Sequence, residues 1–292
     1  MDTTGLDILA QKGYKLEKKL NAGAFGEVFA AVASNGDRVA IKVISFKTLS
    51  DEIREVFLPR EMCALIFSRH QFIVPVYDIV RTEEKIYTFL EYCNMGDLFN
   101  YIVRHGYVSQ ALAMLWFYQI SNAIDYLHNK MDVAHRDIKL ENVLLNDMIA
   151  KVTDLGFAKC CRDNQTNSVI MSNTFCGTPG YMSPELLYQV PYNPFLADVW
   201  ALGVCMYIMI NGCYPYNSDD PKLMLEEIKE RLHDKRYRQG IHDHVRWFTN
   251  KMLVYDPQKR PDVKVIMKYY SDNKYKTNLE WFPISAEEGE LG

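Results

Sequence analysis

"HRDIKLENVLL", residues 135–145, packs five ionisable groups and an amide against a wholly apolar run. They are His135, Arg136, Asp137, Lys139 and Glu141, with Asn142 just before Val143. Charge beside a core segment must be paired or solvated. A segment that needed only to form a strand would not carry it, so the crowding asks for a chemical reason.

Spacing supplies one. Asp137 can accept a proton from a hydroxyl, and Lys139, two residues on, can neutralise charge on a transferred group. Asn142 offers a hard oxygen to Mg²⁺. Twelve residues beyond it, "TDLG" presents Asp154 ahead of a glycine, a second oxygen ligand beside a turn. Each residue alone is no more than a surface charge; the four in this order point to transfer of a charged group.

Upstream lie two weaker signals. The turn "LNAGAFGEV" (residues 20–28) runs from Leu20 through Asn21 to Val28, and its Gly23 and Gly26 would let backbone N–H groups approach phosphate oxygens. Taken by itself, it is equally well a hairpin turn that needs glycine. "VAIK" sets Lys42 inside an apolar strand, with Glu61 on the next predicted helix as its natural partner. Such a pair can aim an ammonium at a polyphosphate, and a lysine that merely snorkels to solvent is the alternative.

Around these motifs the chain divides in two. "YKLEKKL", "EVFAAVA" and "RVAIKVI" read as strands, with "SNGD" turning between the last two. "LPREMCALIFS" reads as a helix opened by Pro59, and "FIVPVYDIV" and "KIYTFLEY" return to strand. Beyond Asp97 the pattern is helical, beginning with a long helix from a Ser109 cap to about Lys130. The expected fold is therefore α+β and bilobal, a small β-rich N-lobe and a larger α-helical C-lobe with a ligand cleft between them. The expected organisation is an extension at 1–13, an N-lobe at 14–92, a hinge near 91–97, a C-lobe at 97–270 and a polar, then acidic, tail at 271–292.

Composition sets limits. With 292 residues, 48% hydrophobic and 24% charged, the chain can bury a sizeable core. A net charge of −4 without a basic stripe argues against nucleic-acid binding. Seven cysteines, odd in number and without paired CxxC spacing, suit reduced thiols in the cytoplasm. "ALAMLWFYQISNAIDYLH" is broken by polar residues and "VWALGVCMYIMI" falls short of the roughly 20 residues that span a bilayer, so both are expected as buried helices of a soluble protein.

From about Tyr14 to Tyr270 the sequence resembles a eukaryotic protein kinase. The glycine turn, "VAIK", Glu61, "HRDIKLEN", "DLG", "TFCGTPGYMSPE" and "DVWALGV" carry the likeness. Lys139 marks the serine/threonine class. "FLPREM", "GDL", "SPELL" and "VPYNPFLADVWALGVCMYIMINGCYPYN" are similar to the calcium/calmodulin-dependent kinase group, and within it to the testis-specific serine/threonine kinases.

This resemblance implies ATP and Mg²⁺ as cofactors and protein serine or threonine as acceptor. Leu20, Val28, Ala40 and Leu144 would enclose the adenine, the backbone of Glu91 and Cys93 would bind its edge, and Leu90 would be the gatekeeper. Lys42, oriented by Glu61, would hold the α- and β-phosphates, while Asn142 and Asp154 would hold the metal. Asp137 would be the base and Lys139 would steady the γ-phosphoryl. Thr174 stands at the activating phosphorylation position, for another kinase or for the protein itself, with Arg136 and Lys159 to receive the phosphate. Asp97, Glu141 and Thr178 would meet substrate, the two acids reading an arginine upstream of the acceptor. Ile208 replaces a second acidic residue of strongly basophilic relatives, so no further arginine is implied. Glu185 with Arg260, and Asp198 beneath the catalytic loop, would be structural. Asn21 for glycine and Leu155 for phenylalanine depart from the family pattern, which keeps open a pseudokinase scaffold that binds partners without transfer.

Overall fold

The computed structural model describes residues 9–23, 26–48, 68–163, 165–217 and 219–272. Glu61, the helix expected from Pro59 and the tail beyond Asp272 lie outside the described residues.

Alternating patterns in the first ninety or so residues build one antiparallel sheet, β1 (Tyr14–Gly23), β2 (Gly26–Ala33), β3 (Arg38–Ser45), β4 (Val76–Arg81) and β5 (Lys85–Glu91), in the order β1-β2-β3-β5-β4. Val28 lies opposite Lys42, Ala30 opposite Ala40, and Ala40 opposite Leu90. Because side chains alternate along a strand, one face of this sheet seats Ile41, Val43, Tyr87 and Phe89 in a small core with Leu9. The other face gathers Ala40, Val74, Leu90 and Cys93, against which Val28, Val76 and Leu144 pack. The strand expected over "FIVPVYDIV" starts only at Val76, since Pro75 has no N–H to give a ladder.

The chain then becomes helical. Asp97 caps α1 (Leu98–His105) by accepting from Asn100 N at 2.8 Å, and Ser109 caps α2 (Gln110–Lys130) by accepting from Leu112 N at 3.2 Å. Two short two-stranded sheets follow, β6 (Val133–Ala134) paired with β9 (Lys159–Cys160), and β7 (Val143–Asn146) paired with β8 (Ile149–Val152). The rest comprises α3 (Pro184–Leu187), α4 (Pro194–Asn211), α5 (Pro221–Lys229), α6 (Leu232–Lys235), α7 (Asp243–Met252) and α8 (Val263–Asp272). Of these, α4, α5, α7 and α8 share one large core with α2, which includes Trp116, Phe117, Trp200 and Phe248.

At 18 residues, α4 is longer than the apolar run read from sequence and apolar enough to cross a membrane. It is instead the central helix of the C-lobe, 89% buried in protein. Its Asn193 cap and Pro194 start lie ahead of Asp198, the charge that hid the first turn.

Candidate active site

The stretch 135–142 is a loop between β6 and β7, with a 3₁₀ turn at Leu140–Asn142. Arg136 holds a left-handed φ of 67°, and Asp154, across the site, one of 61°. Such backbone costs about 1–3 kcal/mol per residue and persists only where neighbours over-determine it. Here Asp198 does so. Only 1% exposed, its carboxylate accepts from the backbone N–H of His135 and of Arg136, each at 2.8 Å, and pairs with His128 Nε2 at 2.8 Å. His135 Nε2 in turn reaches the Thr153 carbonyl at 3.2 Å, next to Asp154.

On this platform Asp137 is buried and held by three side chains. Its Oδ1 accepts from Thr178 Oγ1 at 2.9 Å and its Oδ2 faces Lys139 Nζ at 2.9 Å. Asn142 Nδ2 donates to both its carbonyl (2.9 Å) and its Oδ2 (3.2 Å). Lys139 closes the ring by donating to Thr178 Oγ1 at 2.8 Å. Since Asn142 spends its NH₂ on Asp137, its Oδ1 is the atom that could take a hard cation. Its backbone carbonyl accepts from Thr153 N at 2.9 Å, which sets Asp154 alongside.

Burial pushes the Asp154 carboxyl upward, but the Lys42 ammonium beside it, with His135 and Lys139 farther off, outweighs that and holds it below the usual carboxylate range. Lys42 Nζ lies 3.0 Å from Asp154 Oδ1. An ionised carboxylate and an amide oxygen side by side are the hard donors Mg²⁺ takes when phosphates fill its remaining positions. Leu155 is fully buried in the C-lobe core, with Val76 packed against that same core.

The second face of the sheet forms an apolar wall. Val28, Ala40, Leu90, Cys93 and Leu144 come together there; Leu20 is 41% exposed and lies outside this cluster. Sequence reasoning did not place Val74 and Val76 in this wall. Burial, helped by the Glu91 charge, pushes the Cys93 thiol up to about 12, so it serves as a neutral wall. Glu91 is anchored to the C-lobe by Lys151 at 2.6 Å and Asn146 at 3.1 Å. Gly26 has a φ of 134°, and a Cβ there would sit 2.3 Å from the Val43 carbonyl oxygen, so only glycine fits. Asn21, just past an irregularity in β1, pairs with Val28 without a positive φ and so asks for no glycine.

Farther out, Glu141 accepts from Tyr181 OH at 3.0 Å, while Asp97 is engaged as the α1 cap. Arg260 donates to both Glu185 oxygens at 2.8 and 3.2 Å, a buried structural pair. Thr174 is exposed; Ile208 is buried in α4.

Residues 14–270 match the protein kinase domain family. Over 265 residues the chain is 35% identical to testis-specific serine/threonine-protein kinase 2 of Mus musculus, spanning 90% of this chain and 74% of that protein. Testis-specific serine/threonine-protein kinase 4 of Homo sapiens is 34% identical over 238 residues, 77% of this chain and 72% of that protein. With a two-lobed α+β fold around a cleft that joins Asp137, Lys139, Asn142, Asp154 and Lys42, this chain belongs to the protein kinase family, in its serine/threonine class.

Proposed function

We propose that this kinase moves the γ-phosphoryl group of ATP to serine or threonine hydroxyls of proteins, with Asp137 as the base. The observation that carries the reading is the closed network of Asp137, Lys139, Thr178 and Asn142, in which a buried carboxylate is fixed by a cation, a hydroxyl and an amide. Asp137 orients the acceptor hydroxyl and takes its proton. Lys139 balances charge on the transferring group, and Lys42 grips the inner phosphates. Val28, Ala40, Leu90, Cys93 and Leu144 enclose the base of the nucleotide, and the backbone around Gly23 and Gly26 covers its phosphates. A Mg²⁺ held by Asn142 Oδ1 and Asp154 would neutralise phosphate oxygens. Positioning and charge complementarity supply the rate, since the reaction needs little covalent help.

Thr174 is the activating phosphosite in this reading, modified by another kinase or by the protein itself. Arg136 supports it, because its guanidinium is buried, its Nε is used on the Phe157 carbonyl at 2.7 Å, and its Nη1 has no hydrogen-bond partner. A phosphate is the acceptor that such a donor wants. Asp97 and Glu141 favour substrates with an upstream arginine, and the buried Ile208 adds no further charge. Free thiols throughout the described residues fit a cytoplasmic protein.

The test is transfer from labelled ATP with Mg²⁺ to a serine peptide carrying arginine three residues upstream. Asp137→Ala should lower kcat by about 10²–10⁴-fold, the usual worth of a positioned base, with ATP still bound. Transfer that survives in the variant removes Asp137 from its role. ATP binding without any transfer, even with Thr174 phosphorylated, would establish the scaffold instead.

A further inference from the structure

Tyr192 has no part in the chemistry above, yet it grips the segment that carries Thr174. It lies between α3 and α4, 2% exposed. Its backbone makes a two-way bridge with Ser172: Ser172 N–H donates to the Tyr192 carbonyl at 2.8 Å, and Tyr192 N–H to the Ser172 carbonyl at 3.1 Å. Its phenol hydroxyl donates to the Thr174 carbonyl at 3.0 Å. Its ring lies 6.3 Å from that of Phe175. Ser172, itself 1% exposed, adds its Oγ as acceptor for Thr174 N–H at 3.2 Å. The backbone on both sides of Thr174 is thus fixed while its side chain stays exposed.

This grip is connected to the base. Four residues after Thr174, Thr178 bonds both Asp137 and Lys139. Behind the intervening turn, Tyr192, Cys176, Arg136 and Asp137 line one cavity of about 20 Å³, so the phenol and the catalytic loop share a wall. Gly177 crosses this wall at a φ of 120°, where a Cβ would lie 3.2 Å from the Arg136 carbonyl oxygen. A segment pinned at 172–174 and bonded at 178 has little freedom between the two points.

We propose that Tyr192 is a positioning residue, a phosphate-independent latch that holds the Thr174 segment, and through it Thr178, in register with Asp137. The inference rests on the phosphotransfer reading and on Thr174 as its switch, and it adds a specific consequence. The tyrosine hydroxyl and a phosphate on Thr174 do the same work from opposite sides, so each matters most when the other is missing. The hydroxyl is protonated at every physiological pH, because burial pushes the phenol up to about 12. The latch is therefore constitutive, and the unmodified kinase retains basal activity.

Tyr192→Phe removes the hydroxyl and keeps the ring. Two phosphate-free proteins, Thr174→Ala with and without Tyr192→Phe, are compared with the Thr174-phosphorylated forms of wild type and Tyr192→Phe. Thr174→Ala leaves the latch intact, since both of its bonds there are to backbone. Kinetics with peptide and ATP are read beside amide exchange over 172–178, which needs no catalysis, and beside Tm. The loss of one buried hydrogen bond predicts roughly ten-fold lower kcat and roughly ten-fold faster exchange in the phosphate-free pair, with ATP KM and Tm nearly unchanged. Phosphorylation should recover most of both. Equal losses with and without phosphate would reduce Tyr192 to a packing residue, and exchange indifferent to Tyr192 would remove the latch. A wild-type protein that transfers nothing, but whose exchange still depends on Tyr192, would overturn the phosphotransfer reading and leave the latch standing.

Discussion

The loop around Asp137 and the sheet around Lys42 face one cleft but are held by different forces. The loop is fixed by buried polar contacts: Asp198 beneath it, His135 and Asn142 within it, Thr178 across it. The sheet offers an apolar wall and ion pairs to the C-lobe, Lys42 with Asp154 and Glu91 with Lys151, over a core much smaller than that of the C-lobe. Directional bonds fix atoms to tenths of an ångström, which a proton-transfer site requires. Apolar contacts tolerate sliding, which suits a wall that must close over a nucleotide. The difference places rigidity where chemistry occurs and compliance where binding occurs.

Removing the anchor breaks this contrast most severely. Asp198→Asn points an NH₂ at one of the donors that the carboxylate now serves, and breaking a buried, paired charge costs about 3–5 kcal/mol. For a chain of this size the Tm should fall by about 6 °C or more, with kcat collapsing as His135 and Arg136 lose their acceptor. ATP affinity of the protein that remains folded should hold, because the wall does not touch Asp198. If calorimetry shows Tm unchanged, the loop is held by something else.

Acid offers a second way to separate the lobes. His233 in α6 is fully buried and its Nδ1 lies 2.6 Å from Tyr216 OH, while its Nε2 has no hydrogen-bond partner. Burial pushes its pKa down from 6.5 to about 4, with Arg231 helping and Asp234 opposing. The unfolded chain therefore takes up a proton below pH 6.5 that the folded one refuses until about pH 4. Stability is constant above that window and is lost on descending through it, by about 3 kcal/mol in all. Half-buried His70, which meets Asn122 and Tyr126 of α2 and is also lowered by burial, adds to the slope. Urea titrations at pH 7 and pH 5 should show His233→Leu with a flatter dependence than wild type. An identical slope in the two proteins would clear His233 of the acid sensitivity.

How legible each half was in sequence follows the same division. The catalytic loop could be read from local spacing, since Asp137, Lys139 and Asn142 lie within a few residues and the fold only tightens what the chain already places together. The apolar wall depends on strand pairing, so Val28, Ala40, Leu90, Cys93 and Leu144 came from family likeness, Leu20 is exposed, and Val74 escaped notice. Long-range partners were hardest. Asp198 was expected under the loop, but His128, seventy residues before it in the chain, was not. Tyr192 carried no signal at all, because a tyrosine in "VPYNPF" looks like any core aromatic until its hydroxyl meets the Thr174 carbonyl.

The smallest effect sharpens the contrast from the sheet side. Gly26 opens β2 at a φ of 134°, where the position of its would-be Cβ is taken by the Val43 backbone of β3. Gly26→Ala must either strain that backbone, at about 1–3 kcal/mol, or push the start of β2 away from β3. Neither partner is a flexible side chain, so the glycine turn itself has to move. The backbone N–H groups that would cover the phosphates move with it, while the Asp137 network is untouched. ATP KM should rise by roughly ten-fold, the equivalent of about 1.4 kcal/mol, with kcat at saturating ATP close to wild type. If kcat fell instead and KM held, the sheet would be as rigidly coupled to the chemistry as the loop is, and compliance would not be what distinguishes the two halves of the cleft.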